Sequence, residues 1–340
     1  LATNTSSIVL EELATTLREP SRLVGLHFFN PVALMPLVEI IRGSSTDEIT
    51  MNRAINLARR IDKLPLPCRS SPGFLVNRVL VPYMFEAMHA AQEGISKEII
   101  DRAAIDFGMP VGPVELSDMV GLDVCLHVGT IVSNALGKTT PDLAPLQELV
   151  TAGKLGKKSG EGLYRWAAGK PQRAQVEGDA PADLQDRLML ILANECVACL
   201  RETLVDREEW IDAGMIFGSG YAPFRGGPLR AARERGVDEC VRRLQDLAAR
   251  YGSRFTPDPG WERLRLPRAS AAERDVDPLA EYVPTSHVGV EIGGGVGLHY
   301  HYGTLGQLEH GVNHADAYLR TLGIETGRDR PLKAWPYAKG

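Results

Sequence analysis

Positive charge is scarce in this chain. Its 38 Lys and Arg face 43 Asp and Glu, for a net charge of −5 at pH 7. A nucleic-acid partner needs a basic face to neutralise phosphates, so the balance argues against one. Long apolar runs are missing too: none reaches the roughly 18 residues of a membrane-spanning helix. Cysteine is sparse, with Cys68, Cys125, Cys196, Cys199 and Cys240 scattered through 340 residues. That is no disulfide framework and suits a reducing, cytoplasmic setting. Cys196 and Cys199 form a C-x-x-C, but within the apolar run Leu188–Leu200, where free cysteine packs as a small hydrophobe. His299 and His301 could share a strand face, yet no acidic or cysteine ligand is spaced with them, so no metal is expected. What remains, 44% hydrophobic and 24% charged residues, describes a globular chain long enough for two ordinary domains.

The most informative stretch is Arg22–Gly43, RLVGLHFFNPVALMPLVEIIRG. It reads as two strands, Leu23–Phe29 and Pro36–Ile41, joined by a turn around Asn30-Pro31, where proline favours an extended Asn30 and would break a helix. A hairpin centred near Ala33 places His27 opposite Glu39. Cross-strand partners share a sheet face with Cβ atoms about 4.5–5.5 Å apart. A carboxylate at that distance can orient an imidazole and stabilise the imidazolium, as in a catalytic dyad, although an ordinary hydrogen-bonded pair has the same spacing.

Leu-His-Phe-Phe-Asn-Pro, followed twelve residues after the His by the Glu of Leu-Val-Glu-Ile-Ile, resembles the 3-hydroxyacyl-CoA dehydrogenase family. The resemblance implies NAD-dependent oxidation of an L-3-hydroxyacyl-CoA to a 3-ketoacyl-CoA in fatty-acid β-oxidation. It makes His27 the base and Glu39 its partner. It maps a contact to nicotinamide and substrate onto Ser6 of Asn-Thr-Ser-Ser, a substrate contact onto Asn77 of Pro-Gly-Phe-Leu-Val-Asn-Arg, and a cofactor contact onto Asn30. Each has a structural alternative: a helix cap for Ser6 (Ser7 being the better cap), a buried polar network for Asn77, and turn geometry for Asn30.

Around these motifs the chain alternates strand and helix, then turns helical. Leu1-Ala-Thr-Asn reads as the tail of a strand, Ile8–Leu17 and Asp47–Ile61 as helices, and Leu64–Cys68 as a short extended segment. Ser70-Ser71-Pro72-Gly73 carries the signals of a helix start, a hydroxyl cap followed by proline. The helix it opens runs over Phe74–Gln92 with a kink expected at Pro82. From Ser96 the pattern is helical, broken at Gly108-Met109-Pro110 and at Gly137. Gly108–Asp118 and Gly156–Tyr164 resemble the family's helical dimerisation domain, and a polar linker, Ala167–Pro181, follows.

The helical pattern then recurs. Asn194-Glu195 lies 109 residues after Phe85-Glu86, and Gly218–Pro228 takes the place of Gly108–Pro113 within a residue or two. Tandem copies can pack on each other like two subunits of a dimer. The duplication resembles the multifunctional fatty-acid oxidation α subunits, with one departure, Phe217 in place of a substrate-contacting Tyr.

The expected fold is the remnant of a Rossmann-type α/β cofactor domain (1–69), followed by two mainly α-helical copies (70–168 and 181–266) and an unassigned tail (267–340). No G-x-G-x-x-G follows a strand near the amino end. The chain is therefore expected to be amino-terminally truncated and inactive alone, with Val24, Leu26, Val38 and Ile40 lacking part of their cover. The resemblance implies an acyl-CoA substrate and a thiolase-type β subunit as partner. A non-catalytic helical scaffold of a β-oxidation complex is the alternative. A dehydrogenase of the 6-phosphogluconate type shares the helical domain but not the His-Phe-Phe-Asn-Pro hairpin.

Overall fold

The computed structural model describes residues 1–5, 9–176 and 178–266. Ser6 and Ser7, and the whole 267–340 tail with His299 and His301, lie outside the described residues.

The amino-terminal part is a four-stranded mixed sheet in the order β1-β2-β3-β4. Strand β1 (Ala2–Thr3) pairs parallel with β2 (Val24–Phe28), β2 antiparallel with β3 (Leu37–Arg42), and β3 parallel with β4 (Leu64–Arg69). Pro65 and Pro67 are tolerated in β4 because it is an edge strand, where missing N–H donors cost no ladder bond. A five-residue helix, α1 (Leu10–Ala14), follows β1 and is shorter than the apolar pattern suggested. Helix α2 (Glu48–Arg60) begins where Asp47 accepts the Thr50 N–H and ends with Arg59 and Arg60, favourable charge at both termini.

Alternation gives the sheet two apolar faces. Val24, Val38 and Ile40 pack under Met51, Ala54 and Ala58 of α2. This corrects the expectation that these residues would lack cover: all three are buried, and only Leu26 remains partly exposed. Helix α2 covers Val24, Val38 and Ile40 and leaves Leu26 and Phe28 of that face partly exposed. On the other face Leu37, Ile41, Leu66 and Cys68 join the core of the helical part.

That part begins with α3 (Val76–Gln92), which holds Pro82 in its interior. Here too the structure departs from expectation. Ser70–Gly73 does not cap α3: residues 72–75 form turns, Leu75 occupies the N-cap, and no side chain from the adjoining sequence caps the helix. Its opening amides are satisfied instead from β3, as described below. Then come α4 (Lys97–Phe107), α5 (Pro113–Val120), α6 (Leu122–Leu136) and α7 (Ala144–Thr151). Gly108 and Gly137 end α4 and α6 in left-handed conformations, at the anticipated breaks. The linker proved to open with a small hairpin, β5 (Arg165–Ala167) and β6 (Lys170–Gln172), turned at Ala168 and Gly169, both with positive φ.

The second run of helices repeats the first: α8 (Leu184–Arg201), α9 (Glu208–Ser219), α10 (Pro228–Arg235) and α11 (Val237–Tyr251), followed by a short α12 (Trp261–Arg265). Asp101 of α4 accepts N–H bonds from Val114 and Glu115 at the start of α5. Asp212 of α9 does the same for Leu229 and Arg230 at the start of α10. Helices α3 and α8 lie against each other and exchange ion pairs reciprocally. Arg78 reaches Glu195 at 2.8 Å and Glu202 at 2.7 Å; Arg187 reaches Glu86 and Glu93, both at 2.7 Å. A second cation completes each site, Lys138 on Glu195 and Arg254 on Glu86. Residue i meeting j while the equivalent of j meets the equivalent of i is the signature of a two-fold interface, here within one chain.

Candidate active site

The hairpin register places His27 opposite Glu39. His27 Nδ1 lies 2.6 Å from Glu39 Oε2. The same carboxylate turns its other oxygen, Oε1, to the amides of Leu75 and Val76, each donating at 2.9 Å. Glu39 is fully buried and His27 is 9% exposed. Burying a carboxylate is costly unless its lone pairs are met, and three donors meet them here, two at the positive end of a helix.

With Nδ1–H donated to Glu39, the tautomer leaves Nε2 as the acceptor, and it has no hydrogen-bond partner among the described residues. The ring is held edge-on by Phe29, with centroids 4.8 Å apart, and by Phe74, at 5.4 Å. Phe29 is legible in sequence, since two residues along a strand is the same sheet face as His27. Phe74 is not: it takes φ of 50°, a left-handed conformation that aromatic side chains rarely adopt. A further residue missed by sequence reasoning is Asn4, whose Oδ1 accepts the Phe28 N–H at 3.0 Å and ties the chain entering Ser6 to the end of β2.

Asn77 follows Val76 in the first turn of α3 and is half-buried, one residue beyond an amide that donates to Glu39. Asn30 lies beyond β2, exposed, ahead of the cis Asn30-Pro31 bond. A recess between the two repeats, lined by Val81, Phe85, His89, Ser133, Lys138 and Arg254, lies further along α3 and contains none of the predicted site residues. Phe217 is buried, and Cys196 and Cys199 are buried within α8 with thiols pushed above the ordinary range by desolvation, which suits core packing. Among the described residues no cluster of metal-ligating side chains occurs.

Residues 1–71 match the model of the 3-hydroxyacyl-CoA dehydrogenase NAD binding domain, and residues 73–166 that of the C-terminal domain. The chain belongs to the 3-hydroxyacyl-CoA dehydrogenase family. The fatty acid oxidation complex subunit alpha of Idiomarina loihiensis is 36% identical over 270 residues, 76% of this chain and 38% of that protein. The chain thus spans well under half of the length of such relatives. The crystal structure of 3-hydroxybutyryl-CoA dehydrogenase from Escherichia coli K12 superposes with a TM-score of 0.67 at 28% identity, over 77% of this chain and 74% of that one. The dehydrogenase part of multifunctional enzyme 1 from C. elegans gives 0.54 at 27% identity, over 77% of this chain and 64% of that one. The fold class is therefore a Rossmann-like α/β cofactor domain followed by helices, and the cofactor is NAD.

Proposed function

We propose that this chain carries the proton-transfer machinery of an NAD-dependent L-3-hydroxyacyl-CoA dehydrogenase of fatty-acid β-oxidation. The observation that carries the reading is the His27–Glu39 bond at 2.6 Å, with Nε2 left as an acceptor. When bound, NAD supplies the acceptor for the hydride of C3. The chain's own groups fit the nicotinamide end of such a cofactor: a buried, oriented imidazole with one open acceptor, close to the start of α3. His27 Nε2 takes the hydroxyl proton while C3 loses hydride and the C–O bond becomes a carbonyl. Glu39 stabilises the imidazolium and fixes the ring. Asn77 hydrogen-bonds the 3-oxygen, Ser6 contacts substrate and nicotinamide, and Asn30 contacts the cofactor.

The same reading divides the chain into the closing part of a cofactor domain (1–69), a first helical domain (70–168), a second copy (181–266) and the 267–340 tail. No G-x-G-x-x-G occurs in the sequence, and pyrophosphate binding draws on such a turn. Alone, then, the 340-residue chain holds NAD weakly and turns over no acyl-CoA, in a reducing, cytoplasmic compartment. Since the Idiomarina relative is named as the alpha subunit of a complex, a thiolase-type β subunit is the partner this reading assigns. The test is NADH formation from an L-3-hydroxyacyl-CoA by this chain joined to a Gly-rich βαβ half, with and without His27→Gln. Turnover that survives the substitution overturns the assignment of the base. A joined protein that folds and binds NAD but has no turnover favours the scaffold reading.

A further inference from the structure

Helix α9 belongs to the second repeat, yet its two interior glycines touch the first site. A Cβ built at Gly214 would lie 2.8 Å from Leu66 Cδ2 and 2.9 Å from Leu75 Cδ2. One at Gly218 would lie 2.8 Å from Val76 Cγ2 and 2.9 Å from Leu37 Cδ2. These four residues surround one side chain. Leu75 and Val76 donate their N–H groups to Glu39, Leu66 is the register partner of Glu39 on β4, and Leu37 is two residues before it on the same sheet face. The chain provides its own comparison. Counting from the equivalent capping residues Asp101 and Asp212, Gly214 and Gly218 correspond to Ala103 and Phe107 of α4. The copy without a sheet beside it has side chains there; the copy that abuts β3 and β4 has none.

We propose that Gly214 and Gly218 are positioning residues for the His27–Glu39 pair. Their bare helix face lets α9 sit close enough to fix the gap between β3 and the start of α3, the gap that Glu39 bridges. The second repeat thereby acts on the site through Leu37, Leu66, Leu75 and Val76, besides stabilising α3. This inference rests on the proposed role of His27 and Glu39, but its readout does not depend on turnover.

The test is NMR of the full 340-residue chain. In the parent, the Leu75 and Val76 amide protons and the His27 Nδ1 proton should resonate downfield, as donors to a carboxylate. Gly218→Ala should still fold, alanine being the better helix former, but should shift those three resonances upfield. It should also speed exchange of the two amides by about tenfold or more. Adding Leu37→Ala, which removes one of the two opposing methyl groups and leaves Val76 Cγ2, should move them part-way back. Unchanged resonances in a folded Gly218→Ala overturn the proposal. Should that variant not fold, Gly218→Ala/Leu37→Ala carries the test: with Val76 still opposed it should show the same upfield displacement to a smaller degree, and parent-like resonances overturn the proposal. Resonances that respond as expected, with turnover insensitive to His27→Gln in the joined enzyme, would leave the positioning intact and refute the catalytic reading instead.

Discussion

Arg78 and Arg187 occupy the same place in two copies of one helix, 109 residues apart, and each ion-pairs with a glutamate of the other copy. Glu86, eight residues after Arg78 on α3, binds Arg187, and Glu195, eight residues after Arg187 on α8, binds Arg78. All four side chains are at most 3% exposed. Pairs this deeply buried add little net stability against an apolar replacement, but removing one member leaves an uncompensated charge.

Arg78→Met should therefore destabilise the chain by about 3–5 kcal/mol, toward the lower end because Lys138 still faces Glu195. Arg187→Met should behave alike, with Arg254 in the role of Lys138. The double variant Arg78→Met/Glu195→Leu should recover most of the loss. Urea unfolding midpoints check this, and single variants as stable as the parent would show that the pairs are not coupled.

Glu39→Gln should cost more in rate than in binding. The Gln carbonyl is held by the Leu75 and Val76 amides, which leaves its NH2 facing His27 Nδ1. That donor forces the proton onto Nε2, the wrong tautomer for a base. In the joined, active enzyme kcat should fall by about 10²- to 10⁴-fold with KM for the acyl-CoA little changed. A KM effect alone would place Glu39 in binding.

Buried Asp101 and half-buried His89 should give stability opposing slopes with pH. Burial raises the Asp101 carboxyl to about 6 against the hydrogen bonds from Val114, Tyr164 and Glu115. The folded state then holds that proton more tightly than the unfolded chain, so its contribution is complete below pH 4 and is lost as pH rises to about 6. Burial lowers His89 to about 4, with Arg254 adding to the effect. The unfolded chain then binds the proton first, so stability is lost as pH falls from about 6.5 to 4. His89→Phe should unmask the Asp101 slope: stability measured between pH 4 and 6 should fall with rising pH more steeply than in the parent. An unchanged profile would remove His89 from the balance.

All five cysteines are free and buried. An aryl disulfide reagent should label none of them in the native chain and all of them in denaturant. Rapid native labelling of Cys196 or Cys199 would contradict their place in the core of α8.

Calorimetric titration of the 340-residue chain with NAD should give a Kd weaker than micromolar, a binding free energy smaller than about 8 kcal/mol. Micromolar binding would show that some segment outside the recognised motifs supplies a phosphate site.

What the sequence determined was whatever depends on near neighbours or on period. Alternation and the spacing of twelve put His27 opposite Glu39, because a strand repeats every two residues and a one-residue slip would turn one of the pair away. Asp47, Gly108 and Gly137 marked helix ends, since capping acts within a turn. The spacing of 109 exposed the duplication. Tertiary structure decided what depends on partners far along the chain. Ser70–Gly73 carried every local sign of a helix start, yet α3 begins at Val76 because a buried carboxylate 36 residues away needs those amides as much as they need it. The reciprocity of Arg78 and Arg187, and the absence of a Cβ at Gly214 and Gly218, likewise follow from which helices come to lie against each other. No local pattern encodes that, because the contacts form only when the two repeats and the sheet share one core.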